Sequence, residues 1–301
     1  MTRITANTLL LLTGLIWGVT FIAQSTAMDK IGPLQFSGLR FLLAGVALLP
    51  MVWLEKKRAP QNVIDPKLWP EFVVVGLCFT AGILLQQYGL TVTTVTNAGF
   101  LTAIYVVLTP LIAMVFFRQL PHVIVWPASV MTLTGIYLLG GGELSALNLG
   151  DFLMIICAVF WALQVILLGR LVMRTGRPMA TAATQFFFVG IIGTLASGIF
   201  ETYSIAALQE AMVELLFAGV ISGGVAFTLQ AIAQQWSTPA DAAILLSSEA
   251  LFAAIAGALF LGERLPVPGL IGCALIFLSV LLVELAPLVA RRWRRGRELG
   301  T

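Results

Sequence analysis

The sequence has little charge, little histidine and little cysteine, and each shortage excludes a class of function. Only 10% of its 301 residues are charged, against roughly 25% in soluble domains. The single histidine, His122, excludes an HExxH zinc site. The three cysteines lie within apolar runs, where cysteine is typical of small packing residues. With no GxSxG or Asp-rich motif either, we expect no enzyme, organic cofactor or bound metal.

The sequence is instead rich in long apolar runs. Hydrophobic residues make up 59% of the chain and the mean hydropathy is +0.99, so lipid must be the main solvent. The short loops leave no room for a soluble domain, and we predict an all-α membrane protein. Ten segments have the length of about 20 residues that a spanning helix needs: 5–26, 34–54, 68–90, 97–117, 122–141, 150–172, 179–200, 212–235, 241–261 and 267–288.

The first apolar run recurs later in the chain. Leu9–Gln24 carries Gly14, Trp17 and Gly18 on one face. At an offset of 144 residues the sequence has Ala158, Trp161 and Ala162 at the matching positions. We therefore interpret the N-terminal run as the first spanning helix and not as a cleaved signal peptide, which would not recur as a core helix.

The repeat predicts the architecture. Five helices in each copy make the two copies enter the bilayer in opposite directions, as in many secondary transporters. We predict two inverted five-helix repeats around a central cavity, at residues 1–142 and 150–288, followed by a basic cytoplasmic tail at 289–301.

The basic residues predict the topology. With a cytoplasmic N-terminus, the inner loops and tails hold fourteen Lys and Arg residues and the outer loops hold two, Lys30 and Arg264. Short cytoplasmic loops carry such an excess. We expect both termini in the cytoplasm of a bacterium, with the chain in its inner membrane. Five arginines after Ala290 supply much of the net charge of +3, which does not indicate a nucleic-acid partner.

Two residue types recur on helix faces that must avoid lipid. Gln86 and Gln230 occupy matching positions beside small residues, and an amide facing lipid would be costly. They either bond neighbouring helices or line a polar cavity. Trp17 and Trp161 lie near the middle of their helices and are either packed core residues or walls of a central site.

Glu249 is the carboxyl group that the local sequence does not explain. It lies eight residues after Asp241, which belongs to a helix start; that is about 12 Å deeper along a helix. A carboxyl there needs a partner or a wet cavity. It either carries a proton or pairs within the bundle. Its counterpart in the first copy is Tyr105. Pro110, in the same predicted segment as Tyr105, is expected to kink that helix.

Arg40 is the basic residue that lies well inside a predicted segment. It snorkels to the outer head groups, pairs with a carboxylate of the protein, or meets a substrate carboxylate. Asn97, at the start of the fourth segment, corresponds to Asp241 and is a second polar candidate.

Three stretches resemble the drug/metabolite transporter superfamily, in its EamA-type ten-helix branch. They are Trp17–Phe21, Pro33-Leu34 with Arg40–Ala44, and Leu261–Leu265. The resemblance implies a small-molecule exporter with a central cavity between its halves, most similar to the YddG-type amino-acid exporters. The family has Glu-Pro where this chain has Glu249-Ala250, and the acidic end motif is present once only.

The repeat, the inward polar positions and the resemblance together predict an exporter of small zwitterionic or neutral metabolites, above all aromatic and neutral amino acids, that works by alternating access. The alternatives are export of drugs or organic cations, and a passive facilitator or channel. A monomer in the bilayer is compatible with the sequence. The predicted substrate-binding residues are Trp17, Trp161 and Tyr105 as walls, Gln86, Gln230 and Asn97 as polar contacts, and Arg40 for a carboxylate.

Overall fold

The computed structural model describes residues 1–93, 95–140, 148–260 and 264–298, and the side chains within them except at 25, 95–97, 99, 260 and 286–298. All regular structure in this part of the chain is helical. The main helices are α1 (Arg3–Met28), α2 (Pro33–Arg58), α3 (Pro66–Gly89), α4a (Val95–Ala103) and α4b (Tyr105–Phe117), α5 (Val125–Leu139), α6 (Leu149–Thr175), α7 (Pro178–Phe200), α8 (Met212–Ala233), α9a (Pro239–Leu246) and α9b (Glu249–Phe260), and α10 (Val267–Glu298).

Local signals in the sequence set the helix ends. Pro33 and Pro178 open α2 and α7, where proline's missing N–H is not needed. Asn148 caps α6 by accepting the N–H of Asp151 at 3.1 Å, while its own N–H donates to the Asp151 carboxylate at 2.8 Å. Gly176, with φ of 60°, ends α6 in the left-handed region that glycine tolerates.

Nine helices of the described chain are long and apolar enough to cross a membrane. The tenth, α5, has 15 residues, so the predicted segment 122–141 was too long. Pro127 lies in the first turn of α5, where a proline's missing N–H costs no helical hydrogen bond. At the other end of the chain, α10 continues as a helix to Glu298, through most of the segment expected to be a tail. The count of ten crossings and the cytoplasmic termini stay predictions.

The helices pack in pairs that correspond under exchange of the two halves. α2 lies along α7 and α5 lies along α10. The contact of α3 with α6 has its counterpart in that of α8 with α1, and the contact of α1 with α9 in that of α6 with α4. The fold therefore has a pseudo-twofold relation between its halves.

Two glutamates show that the equivalent helices α2 and α7 run antiparallel. Glu55, in the last turn of α2, accepts N–H bonds of 2.8 and 3.2 Å from the first turn of α7. Glu201, just after α7, accepts N–H bonds of 2.9 and 2.7 Å from the first turn of α2. Each carboxylate satisfies N–H groups that a helix start leaves free. The halves are thus inverted relative to each other, which confirms the predicted inverted repeat.

The pair α5 and α10 is also antiparallel and is held by close backbone contact. A Cβ on Gly135 would lie 2.8 Å from the carbonyl oxygen of Gly272, so glycine is needed for this approach. Nearby, the buried hydroxyls of Thr132 and Ser279 are hydrogen-bonded at 2.7 Å.

Candidate functional site

A cavity lies between the two halves, with about 570 Å³ of space around it when its open, solvent-filled part is included. Helices α1, α2, α3 and α4 contribute to its wall from the first half, and α6, α8 and α9 from the second. Of the eight residues singled out from the sequence, Asn97 has a side chain outside the described part. The other seven line the cavity: Trp17, Arg40, Gln86, Tyr105, Trp161, Gln230 and Glu249.

Aromatic rings form one wall of the cavity. Trp17 and Trp161 lie with ring centroids 6.4 Å apart, so the two repeated tryptophans meet at the centre of the fold. Phe227 lies between them, 4.4 Å from Trp17 and stacked at 6.1 Å on Trp161. Phe79 does not line the cavity, but it supports the wall by packing edge-on against Phe227 at 4.8 Å. This wall offers flat apolar surface to a ligand.

Sequence reasoning missed Phe227. It lies three residues before Gln230 on the same helix face, so helical periodicity would have found it. Its counterpart in the first half is Ile83, which also lines the cavity but is not aromatic, so the repeat gave no signal. Phe227 directly follows a π-helical stretch, Phe217–Ala226; such wider turns are frequent at functional sites.

Two of the spanning helices are broken at equivalent points. The break between α4a and α4b falls at Ile104, and that between α9a and α9b falls at Ser247 and Ser248, which is the same repeat position. Pro110 lies inside the second piece, α4b, six residues beyond the break, and the kink expected at this proline stays a prediction. Discontinuous helices commonly build the binding sites of transporters.

Tyr105 and Glu249 each begin the second half of a broken helix. The N-terminus of a helix favours negative charge, so the start of α9b suits the carboxylate of Glu249. Glu249 faces the cavity and forms no ion pair within the described part of the chain.

Two glycines of α1 press against the break before Glu249. A Cβ on Gly18 would lie 2.7 Å from the Glu249 carbonyl oxygen, and one on Gly14 would lie 3.2 Å from the Glu249 N atom. The small-residue step noted in the sequence therefore lets α1 support the start of α9b.

Arg40 lies inside the protein, with 5% of its surface exposed. Its guanidinium carbon lies 4.9 Å from the ring centres of Phe36 and Phe41. Its Nε atom is buried without a hydrogen-bond partner among the described residues, and those residues include no ion pair of Arg40. Arg40 therefore neither snorkels nor pairs with a carboxylate of the described chain, and it faces the cavity as an uncompensated cation.

The two repeated glutamines have different surroundings. Gln86 is half-buried and lines the cavity. Gln230 is fully buried and also donates its amide to the Oε1 atom of Gln164 at 3.3 Å. For Gln230 the two interpretations drawn from the sequence thus apply together, since it bonds a neighbouring helix and lines the cavity.

Ion pairs join the halves away from the cavity. Lys30, after α1, pairs with Glu214 in α8 at 2.5 Å. At the corresponding place in the other half, Arg174 of α6 pairs with Glu71 of α3. Asp241, whose N–H is capped by Thr238 at 3.1 Å, also accepts a bond of 3.0 Å from Arg3.

Several known proteins are similar to this chain in sequence or in fold. A transporter of uncharacterised function from Archaeoglobus fulgidus is 30% identical over 285 residues, which cover 94% of this chain and 87% of that protein. The uncharacterised transporter YwfM of Bacillus subtilis is 27% identical over 283 residues, covering 92% and 93%. The uncharacterised inner membrane transporter YedA of Escherichia coli is 27% identical over 191 residues, covering 61% and 58%.

A crystal structure with 17% sequence identity matches with a TM-score of 0.79, over 95% of this chain and 98% of that one, and so has the same fold. The sequence profile of the EamA-like transporter family matches residues 4–141 and again residues 148–285. The two matches coincide with the two inverted halves. The chain therefore belongs to the EamA-like transporter family of the drug/metabolite transporter superfamily, and it is a membrane transporter.

Proposed function

We propose that the protein exports small zwitterionic metabolites with an apolar side chain, above all aromatic and neutral amino acids. One observation carries the proposal: the cavity holds a buried cation, Arg40, and a carboxyl group, Glu249, that are not paired with each other. A buried charge without a partner is costly. A ligand that carries both charges would supply the missing partner of each.

The rest of the cavity suits the same ligand. It combines an apolar aromatic wall with a few polar and charged side chains, which is the usual lining of a small-molecule site. Arg40 would hold the carboxylate of the ligand through charge-assisted hydrogen bonds. Trp17, Trp161 and Tyr105 would contact its side chain, and Gln86 and Asn97 would add polar contacts. A phosphate group usually needs several cations, which disfavours phosphorylated substrates.

The transport mechanism that fits this fold is alternating access. The inverted halves are alike in sequence, yet they line the cavity unequally. Gln24 lines it near the end of α1, whereas its counterpart Leu168 in α6 is fully buried. If the halves exchanged these two arrangements, the cavity would be lined near the end of α6 instead of the end of α1. A substrate could then reach it from the opposite side of the membrane.

The proposal places the protein in the bacterial inner membrane with both termini in the cytoplasm, and assigns it no enzymatic activity. The bias of Lys and Arg supports this topology. Since one chain contains both halves and the whole cavity, one copy would suffice. We further propose that Glu249 carries the coupling proton, because its carboxyl faces the cavity at the start of α9b.

Counterflow in proteoliposomes tests the substrate class. Vesicles loaded with one amino acid at a time should exchange aromatic and aliphatic amino acids, and Trp17→Ala and Gln86→Ala should impair this exchange. The matched controls are Trp69→Ala, at an exposed ring, and Gln87→Ala, whose amide donates to Met28 Sδ outside the cavity. If the folded protein exchanges no amino acid, the substrate assignment is lost.

Export of organic cations or drugs is the second candidate. The aromatic wall and the carboxyl group of Glu249 suit a cation. Under this alternative Arg40→Gln would increase transport of a cation, because it removes a like charge. Under the amino-acid proposal the same variant abolishes exchange of the zwitterion. Accumulation against a gradient excludes a passive facilitator.

A further inference from the structure

Three buried glutamines form a chain of hydrogen bonds that ends at the cavity. Gln185 of α7 donates through Nε2 to the backbone oxygen of Thr181 at 3.4 Å. Gln164 of α6 donates to Gln185 Oε1 at 2.9 Å. Gln230 of α8 donates to Gln164 Oε1 at 3.3 Å. All three side chains are at most 2% exposed, so water does not compete for these bonds.

The direction of the chain is set at its far end. A backbone carbonyl can only accept, so Gln185 must turn its NH₂ group toward Thr181 and its oxygen toward Gln164. Gln164 must then donate to Gln185 and accept from Gln230. The NH₂ group of Gln230 therefore donates to Gln164, and the Oε1 atom of Gln230 is left as the free end of the chain.

This free oxygen lacks a partner. Gln230 Oε1 is buried and accepts no hydrogen bond within the described part of the chain, while Gln230 lines the cavity. Leaving a buried acceptor unsatisfied is unfavourable. A ligand that brings an N–H donor into the cavity would remove this deficit.

The described residues of the first half contain no such chain. The offset of 144 residues places Thr20 opposite Gln164, and Arg40 and Gln185 each lie seven residues after the proline that opens their helix, Pro33 and Pro178. Thr20 bonds instead to its own helix, at the Ile16 carbonyl, and Arg40 offers donors to the cavity. The cavity therefore has a donor, Arg40, in the first half and a fixed acceptor, Gln230, in the second.

We propose that Gln230 Oε1 accepts a hydrogen bond from the ammonium group of the ligand, and that Gln164 and Gln185 are positioning residues that fix the orientation of the Gln230 amide at the cavity wall. The inference rests on the proposed function, which it deepens by fixing the orientation of the zwitterion: the carboxylate lies toward Arg40, and the ammonium, with three N–H donors, lies between Glu249 and Gln230. The residues Gln164 and Gln185 act through Gln230 without lining the cavity themselves.

The test compares three ligands by equilibrium titration of the purified full chain in detergent: phenylalanine, 3-phenylpropionate, which lacks the amine, and phenethylamine, which lacks the carboxylate. The readout is the ratio of the Kd values of phenylpropionate and phenylalanine. One hydrogen bond to a charged group makes this ratio about 10 to 100 in the wild type. We expect Gln230→Met and Gln164→Met to reduce it at least about fivefold, while the affinity for phenylpropionate is unchanged.

A conservative variant separates positioning from packing. In its protonated form, Gln164→Glu donates its hydroxyl to Gln185 Oε1 and accepts from Gln230 through its carbonyl oxygen, so it keeps the orientation of Gln230 and the wild-type ratio. The matched control is Gln234→Met. Gln234 is a fully buried glutamine of the same region that donates to the Val165 carbonyl at 2.8 Å and does not line the cavity. It should leave the ratio unchanged.

Each remaining outcome overturns the inference. If Gln164→Met keeps the wild-type ratio, or loses affinity for phenylalanine and phenylpropionate equally, the glutamine chain serves only to pack the helices and does not orient Gln230. A wild-type ratio in Gln230→Met with loss of the ratio in Glu249→Gln shows that Glu249 holds the ammonium without Gln230. If the wild-type protein binds none of the three ligands, the proposed substrate class fails as well, whereas binding of phenylalanine with an unchanged Gln164→Met ratio refutes this inference alone.

Discussion

Gly18→Ala adds one methyl group where α1 meets the start of α9b. The new Cβ would lie 2.7 Å from the Glu249 carbonyl oxygen, 2.7 Å from Ala253 N and 2.8 Å from Phe252 Cβ. Because carbon atoms pack best about 3.5–4.0 Å apart, the two helices would have to separate by roughly 0.7–1 Å. Overpacking of this kind lowers the free energy of unfolding by about 1–3 kcal/mol.

Gly198→Ala is the matched control, since nothing lies within 4 Å of a Cβ at this position in α7. Alanine in place of a helical glycine stabilises by about 0.5–1 kcal/mol, and this gain applies equally to both variants. Their difference therefore isolates the packing cost. We expect Gly18→Ala to unfold below Gly198→Ala by roughly 2–6 °C, at about 2 °C for each kcal/mol.

Thermal unfolding of both variants in detergent measures this difference, and titration with phenylalanine accompanies it. Displacement of Glu249 should weaken ligand binding in Gly18→Ala and leave it unchanged in Gly198→Ala. Equal Tm values for the two variants would refute the reasoning, because α1 and α9b would then have room that the structure does not give them.

The caps, the coupling carboxyl and the aromatic wall give three more predictions. Glu201→Ala removes the acceptor of two N–H bonds, and we expect a loss of about 2–3 kcal/mol in unfolding free energy, seen as a lower Tm. Glu249→Gln mimics the protonated carboxyl, so vesicles that hold this variant should take up amino acids at the same rate at about pH 5.5 and about pH 8. That rate should resemble the rate of the wild type at the lower pH. Phe227→Ala should lower the free energy of unfolding by about 3–5 kcal/mol and weaken the binding of phenylalanine roughly tenfold.

Each of these has a control. Glu210→Ala, at an exposed residue of the same loop, should leave the Tm unchanged, and an equal fall would contradict the cap. A Glu249→Gln variant that keeps the wild-type rate and pH dependence would remove the proton from the mechanism. Phe200→Ala, at an exposed ring, controls for loss of an aromatic residue; unchanged binding in Phe227→Ala would show that the wall does not touch the ligand.

The sequence predicted the fold class and the family because both depend on patterns with a fixed period. Apolar runs of spanning length gave the membrane fold, and the offset between Trp17 and Trp161 gave the repeat. Both predictions are confirmed, by the helices and by the double match to the family. That seven of the chosen residues meet at one cavity follows from the same repeat, while their role in binding stays a prediction.

The helix breaks could not be predicted from local sequence. Ile104, Ser247 and Ser248 include neither glycine nor proline, which are the residues that break helices on their own. The break before Glu249 is instead packed against Gly14 and Gly18 of another helix. Contacts between residues so far apart in the chain have no signature in a short window.

The glutamine chain was missed for a related reason. Gln164 and Gln185 stand out as polar residues within apolar helices, and Gln185 was already the counterpart of Arg40 in the repeat. What joins them to Gln230 is the meeting of three helices, in which Gln164 and Gln230 lie 66 positions apart in the chain. Helical periodicity places each side chain on a face but does not say which faces meet.

The exchange of caps between α2 and α7 has a consequence for biogenesis. The N–H group of Leu34 donates to Glu201, which the ribosome adds 167 positions later in the chain. At 5–20 residues per second, this delay is on the order of 10 to 30 s. During that interval the first turn of α2 lacks its acceptor, so the first half is expected to enter the membrane incomplete and to settle only when the second half arrives. Ribosome-bound chains ending before or after Glu201, compared by the accessibility of a cysteine at position 35, measure this delay; equal accessibility would disprove it.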